Sequence, residues 1–353
     1  MKFRNNYYEN LDEIKKDYFS ILSDEIPNFL SDYINTAEMQ KQAEISVSCG
    51  TIYSKLFGHR KWFSSLDHSI AVALIIWHFT KDKKQTLSGL FHDIATPVFK
   101  HCVDYMNGDY EKQESTEELT TKIIRDSKEI MSLLERDGIK VEEVCDYHIY
   151  PIADNDTPML SADRLEYTLS NGLGVFEKLW TLEEVKEIYN NIEIQKNENG
   201  VEELGFKDKR LAEKFVNNMS KLSTGYVENS TLISMQFLAD IMKKMSERKL
   251  ITKNDLYNIS EKEIIEKIEN CEYDNISECF TKWRNATSVQ ESDTMIANKY
   301  CKSLKGKLRY INPLVRVDNQ YLRINKISDK ANEDIQRVVG FKPKEFVCLD
   351  FQF

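Results

Sequence analysis

A mainly α fold, a helical bundle with a small C-terminal α+β extension, is predicted by three observations. Glycine and proline are scarce, 12 and 6 in 353 residues, so little interrupts helical stretches. Apolar residues recur at i, i+3 and i+4 through most of the chain, the spacing of one helix face. From about residue 305 the pattern changes, and 308–313, 320–325 and 346–351 alternate or are β-rich, which predicts a small sheet. The chain then divides into an N-terminal helical segment (1–48), a core (49–250) and a C-terminal helical and β extension (251–353).

Taken in order, residues 9–36 place Leu11, Ile14, Tyr18, Ile21 and Leu22 at helical spacing, with an interruption at Pro27. Cys49-Gly-Thr-Ile-Tyr53 breaks the pattern and opens a loop carrying His59. Residues 69–79 are apolar nearly all round, which predicts a buried helix. A polar link at 80–85 joins it to a helix over about 86–92, and antiparallel packing of the pair brings His68 and His92 to one end. Ser115 or Thr116 can cap a helix through about Leu134. Residues 141–150 predict a short helix reaching His148 and ended by Pro151, and Ser161 can cap a helix that presents Asp163. Further helices are expected from 182 to 245 around a polar break at 197–200. Thr252-Lys-Asn-Asp255 resembles a capping box, and 259–268 is amphipathic.

Composition narrows the function. A formal net charge of −10 argues against neutralising many nucleic-acid phosphates, so nucleic acid is not the expected partner. A local basic stretch remains, Lys305, Lys307, Arg309, Arg316, Arg323 and Lys326, which reads as a solvated face, a subunit contact or an anion site. The seven cysteines lack paired short spacings and read as buried, reduced thiols. No apolar run approaches the roughly 18 residues of a membrane span, and no apolar signal core opens the chain. A soluble, cytoplasmic protein without a membrane partner is expected.

The chemistry concentrates in Gly89-Leu-Phe-His92-Asp93-Ile-Ala-Thr-Pro97, flanked by His68 upstream and Asp163 downstream. Two imidazoles and two carboxylates on separate helices can converge on one divalent ion and leave it coordination positions for a phosphoryl oxygen and water. These residues resemble the HD superfamily of metal-dependent phosphohydrolases, and within it the sterile-alpha-motif/HD and bacterial dGTPase-type deoxynucleoside triphosphate triphosphohydrolases. The resemblance covers about residues 49–175 by motif and, more loosely, 257–267. It implies an HD-domain helical bundle and a divalent metal (Mn, Fe, Mg, Ni or Zn) on His68, His92, Asp93 and Asp163.

By the same resemblance His101 matches the second histidine of the segment after His-Asp, while Thr96 stands where the first is found. Arg164 and Tyr167 match a cationic residue and a tyrosine that face the nucleotide, and Asn171 stands where the family has an acid. Thr116-Glu117 occupies the place of a His-Glu pair, which leaves His101 or Glu117 to handle a proton. Lys100 and Arg164 are expected to neutralise phosphate.

The implied activity is hydrolysis of a nucleotide or related phosphate ester, first a (deoxy)nucleoside triphosphate, with a nucleoside monophosphate or cyclic nucleotide as the alternative. A non-catalytic, nucleotide-sensing HD scaffold is the rival from another class. A homo-oligomer is expected. His148 could serve as an extra ligand and His59 could touch substrate.

Overall fold

In the computed structural model, which describes residues 7–108, 119–273 and 275–353, helices dominate the backbone. The N-terminal arm forms α1 (Glu13–Leu22), α2 (Asn28–Ile34) and α3 (Ala37–Lys41). Pro27 is the N-cap of α2, where its missing N–H costs no helical hydrogen bond.

Two 3-10 turns, Thr51–Tyr53 and Lys55–Phe57, lead to α4 (Ser65–Thr80). A capping box starts α4: Ser64 Oγ accepts the Asp67 N–H and the Asp67 carboxylate accepts the Ser64 N–H. Every position from 65 to 76 is buried, as its all-round apolar character requires. Lys81, at φ 53°, ends α4, and the Asp82 carboxylate accepts the N–H groups of Lys84 and Gln85 to start α5 (Lys83–Phe91). The link is therefore shorter than the polar run suggests, because Asp82 caps early.

After α6 (Cys102–Asn107), α7 (Thr120–Asp126) and α8 (Lys128–Asp137) replace the single helix expected through Leu134. Ser127 turns extended and caps α8 by accepting the Ile130 N–H. The caps expected at Ser115 or Thr116 lie outside the described residues. The helix expected at 141–150 is instead two 3-10 turns, Val141–Glu143 and Tyr147–Ile149. The Asp146 carboxylate accepts the His148 N–H and so competes with helix continuation.

Ser161 caps α9 (Ala162–Gly172), and α10 (Leu182–Asn190) follows. The next segment corrects the helical reading of 182–245: β1 (Ile192–Lys196) and β2 (Glu202–Phe206) form an antiparallel hairpin whose turn is the polar break. Alternation of Ile192 and Ile194 with polar residues is a period of two, overlooked between strongly helical neighbours. Then come α11 (Lys209–Tyr226), α12 (Asn229–Glu247), α13 (Lys253–Asn258), α14 (Glu261–Glu269) and α15 (Ile276–Asn285). Capping boxes at Thr252/Asp255 and Ser260/Glu263 open α13 and α14.

The chain ends with β3 (Gln290–Ser292), β4 (Tyr300–Lys302), β5 (Leu314–Val317), β6 (Gln320–Arg323), α16 (Ile324–Ile327), α17 (Asp329–Val339) and β7 (Phe346–Leu349). These strands join two sheets rather than one, in the orders β1-β2-β5-β6 and β3-β7-β4. Residues 308–313 are not a strand; pairing begins after Pro313, which has no N–H to donate. The β4–β7 register sets Cys301 opposite Cys348, and the two are disulfide-bonded. That corrects the reading of every cysteine as a reduced thiol, since strand pairing across 47 residues leaves no trace in cysteine spacing. Cys49, Cys102, Cys145, Cys271 and Cys279 are free.

Two hydrophobic clusters organise the packing. One gathers α1, α4, α5, α9 and α11; the other gathers α6, α12, α14, α15 and β7. Glu261, buried at the start of α14, joins them by accepting the Ser46 N–H at 3.1 Å and the Tyr53 hydroxyl at 2.8 Å. Among the described residues, no helix is long and apolar enough to cross a membrane.

Two consequences are measurable. Gly172→Ala gains about 1 kcal/mol of helix propensity, but its Cβ meets Trp180 ring atoms at 2.4, 2.5 and 2.7 Å. Trp180 is 3% exposed and donates to Leu169 O, so it has nowhere to go. Overpacking wins, and the variant is expected to lose roughly 2 kcal/mol in urea unfolding; equal or higher stability refutes the packing argument.

Burial lifts the Glu261 carboxyl from its ordinary 4.5 to about 7, against the donors from Tyr53 and Ser46. A folded pKa above the unfolded one stabilises below about pH 4.5, and that contribution is lost as pH rises through about 7. Relative to Glu261→Gln, the native chain should lose on the order of 3 kcal/mol between pH 4.5 and 8. Identical pH profiles for the two proteins would contradict this.

Candidate metal centre

Three helix ends meet at one point. The first turn of α4 supplies His68, the C-cap of α5 is His92, and the first turn of α9 supplies Asp163. His68 Nε2 lies 3.2 Å from His92 Nε2 and 3.1 Å from Asp163 Oδ1, and His92 Nε2 lies 3.9 Å from Asp163 Oδ1. One ligand atom from each of the three falls within 4.8 Å of the others.

The remaining ring nitrogens are occupied elsewhere. His92 Nδ1–H donates to Gly89 O at 2.7 Å, and His68 Nδ1–H donates to the Glu166 carboxylate. Both Nε2 atoms thereby face the centre, with the backing partner behind the ring that a metal-binding histidine needs. The donor set therefore fits a divalent ion of borderline hardness. Asp93 stands at the edge: its Oδ2 is 3.9 Å from His92 Nε2, pairs with the Lys100 ammonium and accepts the Ser65 hydroxyl at 3.3 Å.

The electrostatics favour a cation. Burial works against charge on His68, yet Glu166 and Asp163 outweigh it and raise its pKa to about 10. Burial would lift Asp163, but its hydrogen bond to His68 holds it at about 2. Asp93 is likewise held well below its ordinary value, with Lys100 overcoming burial. A field that retains a proton this firmly also attracts a metal ion competing for the same lone pairs.

The cluster lies in a cavity of about 680 Å³ that also admits Lys100, His101, Arg164 and Tyr167. Lys100 is committed to Asp93 and does not reach freely into the space. His101 Nδ1–H donates to Asp104 at 2.8 Å, and burial lowers its pKa, so the ring is neutral. Arg164 is held by Asp154 at 3.0 Å and Asn155 at 2.8 Å. Glu117 lies outside the described residues.

His148 is exposed beside Asp146 and Asp154, and His59 lies apart, against Phe176 O and Glu177. The basic stretch divides: Lys307 and Arg309 line the cavity, while Arg316 pairs with Glu193 and Arg323 with Glu198 and Glu203.

Sequence reasoning missed Glu166, Asp154 and Arg60. For Glu166 a signal existed, since it follows Asp163 by three positions and shares its helix face. Asp154 and Arg60 come from loops, where no periodicity speaks for them. If Glu166 backs the donor His68, Glu166→Gln should weaken manganese binding about 10- to 100-fold in calorimetric titration. Unchanged affinity would assign Glu166 to packing alone.

No protein-family model matches this chain. The uncharacterised protein YdhJ of Bacillus subtilis is 23% identical over 285 residues, spanning 78% of this chain and 81% of its own. A metal-dependent phosphohydrolase of Cordyceps militaris, cns2, is 22% identical over 168 residues, 46% of this chain and 45% of its own. Among solved structures, a phosphohydrolase of Bacteroides thetaiotaomicron matches with a TM-score of 0.65 at 11% identity, over 93% of this chain and 97% of that one. A hypothetical protein of Aquifex aeolicus matches with a TM-score of 0.61 at 15% identity, over 92% and 93%. At these identities the two structures establish that the fold is shared over nearly the whole chain.

Proposed function

We propose that this protein is a metal-dependent phosphohydrolase of the HD type, acting on a nucleotide or related phosphate ester. The observation that carries the reading is the convergence of His68, His92 and Asp163 in an open cavity, with both Nε2 atoms freed by partners behind them. The likeness to the Cordyceps and Bacteroides phosphohydrolases supports the reaction class.

His68, His92, Asp163 and Asp93 would hold the ion. When bound, a divalent metal supplies polarisation of a phosphoryl oxygen and a nucleophilic water at neutral pH. Arg164 brings positive charge to the cavity wall, anchored by Asp154 so that its guanidinium is oriented before a phosphate arrives. Tyr167 lines the same wall one turn further along α9. His101, neutral and held through Nδ1, keeps Nε2 as a proton acceptor. Glu117 is assigned the alternative proton role on the resemblance alone. The first substrate class is a (deoxy)nucleoside triphosphate, and monophosphates or cyclic nucleotides are the alternative.

One observation favours the rival, a nucleotide-sensing scaffold. The Lys100 ammonium compensates Asp93 by itself, which lowers the cost of keeping that carboxylate buried.

The test is product release from a panel of ribo- and deoxyribonucleotides with manganese, beside a His92→Ala, Asp93→Ala double variant. Release of phosphate or triphosphate, lost by at least a hundredfold in the variant, is the expected result. Purified protein that carries no transition metal, gains no thermal stability from manganese or iron and hydrolyses nothing would establish the scaffold instead.

A further inference from the structure

The cavity extends well past the donor cluster. Asp163, Tyr167, Ser170 and Asn171 all line it, so it follows one face of α9 from first turn to last, a run of about 12 Å at 1.5 Å per residue. At the far end Asn171 donates to the Tyr226 hydroxyl at 2.8 Å, and Arg60 forms part of the wall. Arg60 is fixed at that end: the neighbouring Lys61 N–H donates to Gly174 O at 3.0 Å, just beyond α9.

Arg60 is a buried cation with too few partners. It is 9% exposed, and its guanidinium carbon lies 4.1 Å from the centroid of the Phe57 ring and 3.8 Å from that of Phe176. One donor is used, Nη1 to Thr51 Oγ1 at 2.6 Å, while Nε is buried with no hydrogen-bond partner. Among the described residues no carboxylate forms an ion pair with it. Burial lowers its pKa to about 10, so the fold opposes this charge rather than stabilising it.

An unpaired, desolvated guanidinium is costly, and the two aromatic rings repay only part of that cost. The rings pack against the guanidinium, whose planar set of N–H donors suits a phosphate or carboxylate. Two other cations that line this cavity are paired, Lys100 with Asp93 and Arg164 with Asp154. Glu177 and Glu228 favour the Arg60 charge only from beyond ion-pair distance, so a close counter-charge is left to a ligand.

We infer that Arg60 forms a second oxyanion subsite, so that the ligand is an elongated compound with one phosphate at the donor cluster and a second anionic group about 12 Å away. This rests on the phosphohydrolase reading for what happens at the near end only. The far end requires no chemistry, just recognition, and makes Arg60 a specificity determinant between long dianionic and short monoanionic esters.

Non-hydrolysable probes separate the two. Calorimetric titrations with manganese present would compare alkane bisphosphonates of two to ten carbons with the alkyl monophosphonates of equal length. The bisphosphonate whose span approaches 12 Å is expected to bind the native protein about tenfold or more tightly than its monophosphonate, the yield of one charge-assisted contact. Shorter members should lack the advantage. Arg60→Met should collapse that ratio to near one, and Arg60→Lys, which keeps the charge, should retain part of it. A ratio near one in the native protein, or one that survives in Arg60→Met, overturns the subsite. If the ratio behaves as expected while no phosphate ester is hydrolysed, the phosphohydrolase reading falls and the subsite stands.

Discussion

A carboxylate without solvent is tolerable only when donors surround it, and the arrangement of this protein depends on how Glu166 meets that condition. Glu166 is fully buried; Oε1 accepts the Tyr18 hydroxyl at 3.1 Å and Oε2 is hydrogen-bonded by His68. Those three residues belong to α1, α4 and α9, so one carboxylate binds the N-terminal arm to the two helices that carry His68 and Asp163. Removing a partner would strand a buried charge, at a cost on the order of 3–5 kcal/mol. Because the same bond orients the His68 ring, stability of the bundle and geometry of the donor cluster are one property.

Charge compensation is local throughout the cavity. Asp93, Asp154 and Asp163 would repel one another if left bare, and each instead has its own cation: Lys100, Arg164 and His68. Asp154 shows how narrow the margin is, since burial still raises its pKa although Arg164 opposes the shift. Such pairing keeps the carboxylates ionised inside the protein, a precondition for presenting oxygen donors at neutral pH. Arg60 stands out against this background because, among the described residues, no carboxylate forms an ion pair with it and Glu177 and Glu228 act only from further off.

Much of this was legible beforehand, for identifiable reasons. Helix-forming composition and the apolar run of 69–79 announce a buried α4, and the short link to α5 places His68 and His92 at one end. The donor cluster follows, because His68 and Asp163 sit just after the caps Ser64 and Ser161, and His92 closes α5 shortly before Pro97. What escaped was non-local. The β1–β2 hairpin joins β5 across more than a hundred residues, and a five-residue alternation between helices gives little warning of it. Cys301 and Cys348 are brought together by strand register, and Lys100 turns to Asp93 through backbone angles that no side-chain pattern encodes.

Those angles carry the final connection. Phe99 and Lys100, adjacent and not glycine, hold φ at 57° and 43°, in a region that costs about 1–3 kcal/mol per residue. The second hydrophobic cluster supplies the restraint: Val98 N–H donates to Leu256 O at 2.8 Å, Phe99 N–H reaches the Glu261 carboxylate, and the Phe99 ring is fully buried against Gly50. From the other side the Lys100 ammonium is held by Asp93. The strained turn is thus held from both sides, by backbone bonds to the second cluster and by an ion pair at the edge of the donor cluster. Lys100 therefore ties Asp93, at the edge of the donor cluster, to a turn anchored by α13 and α14.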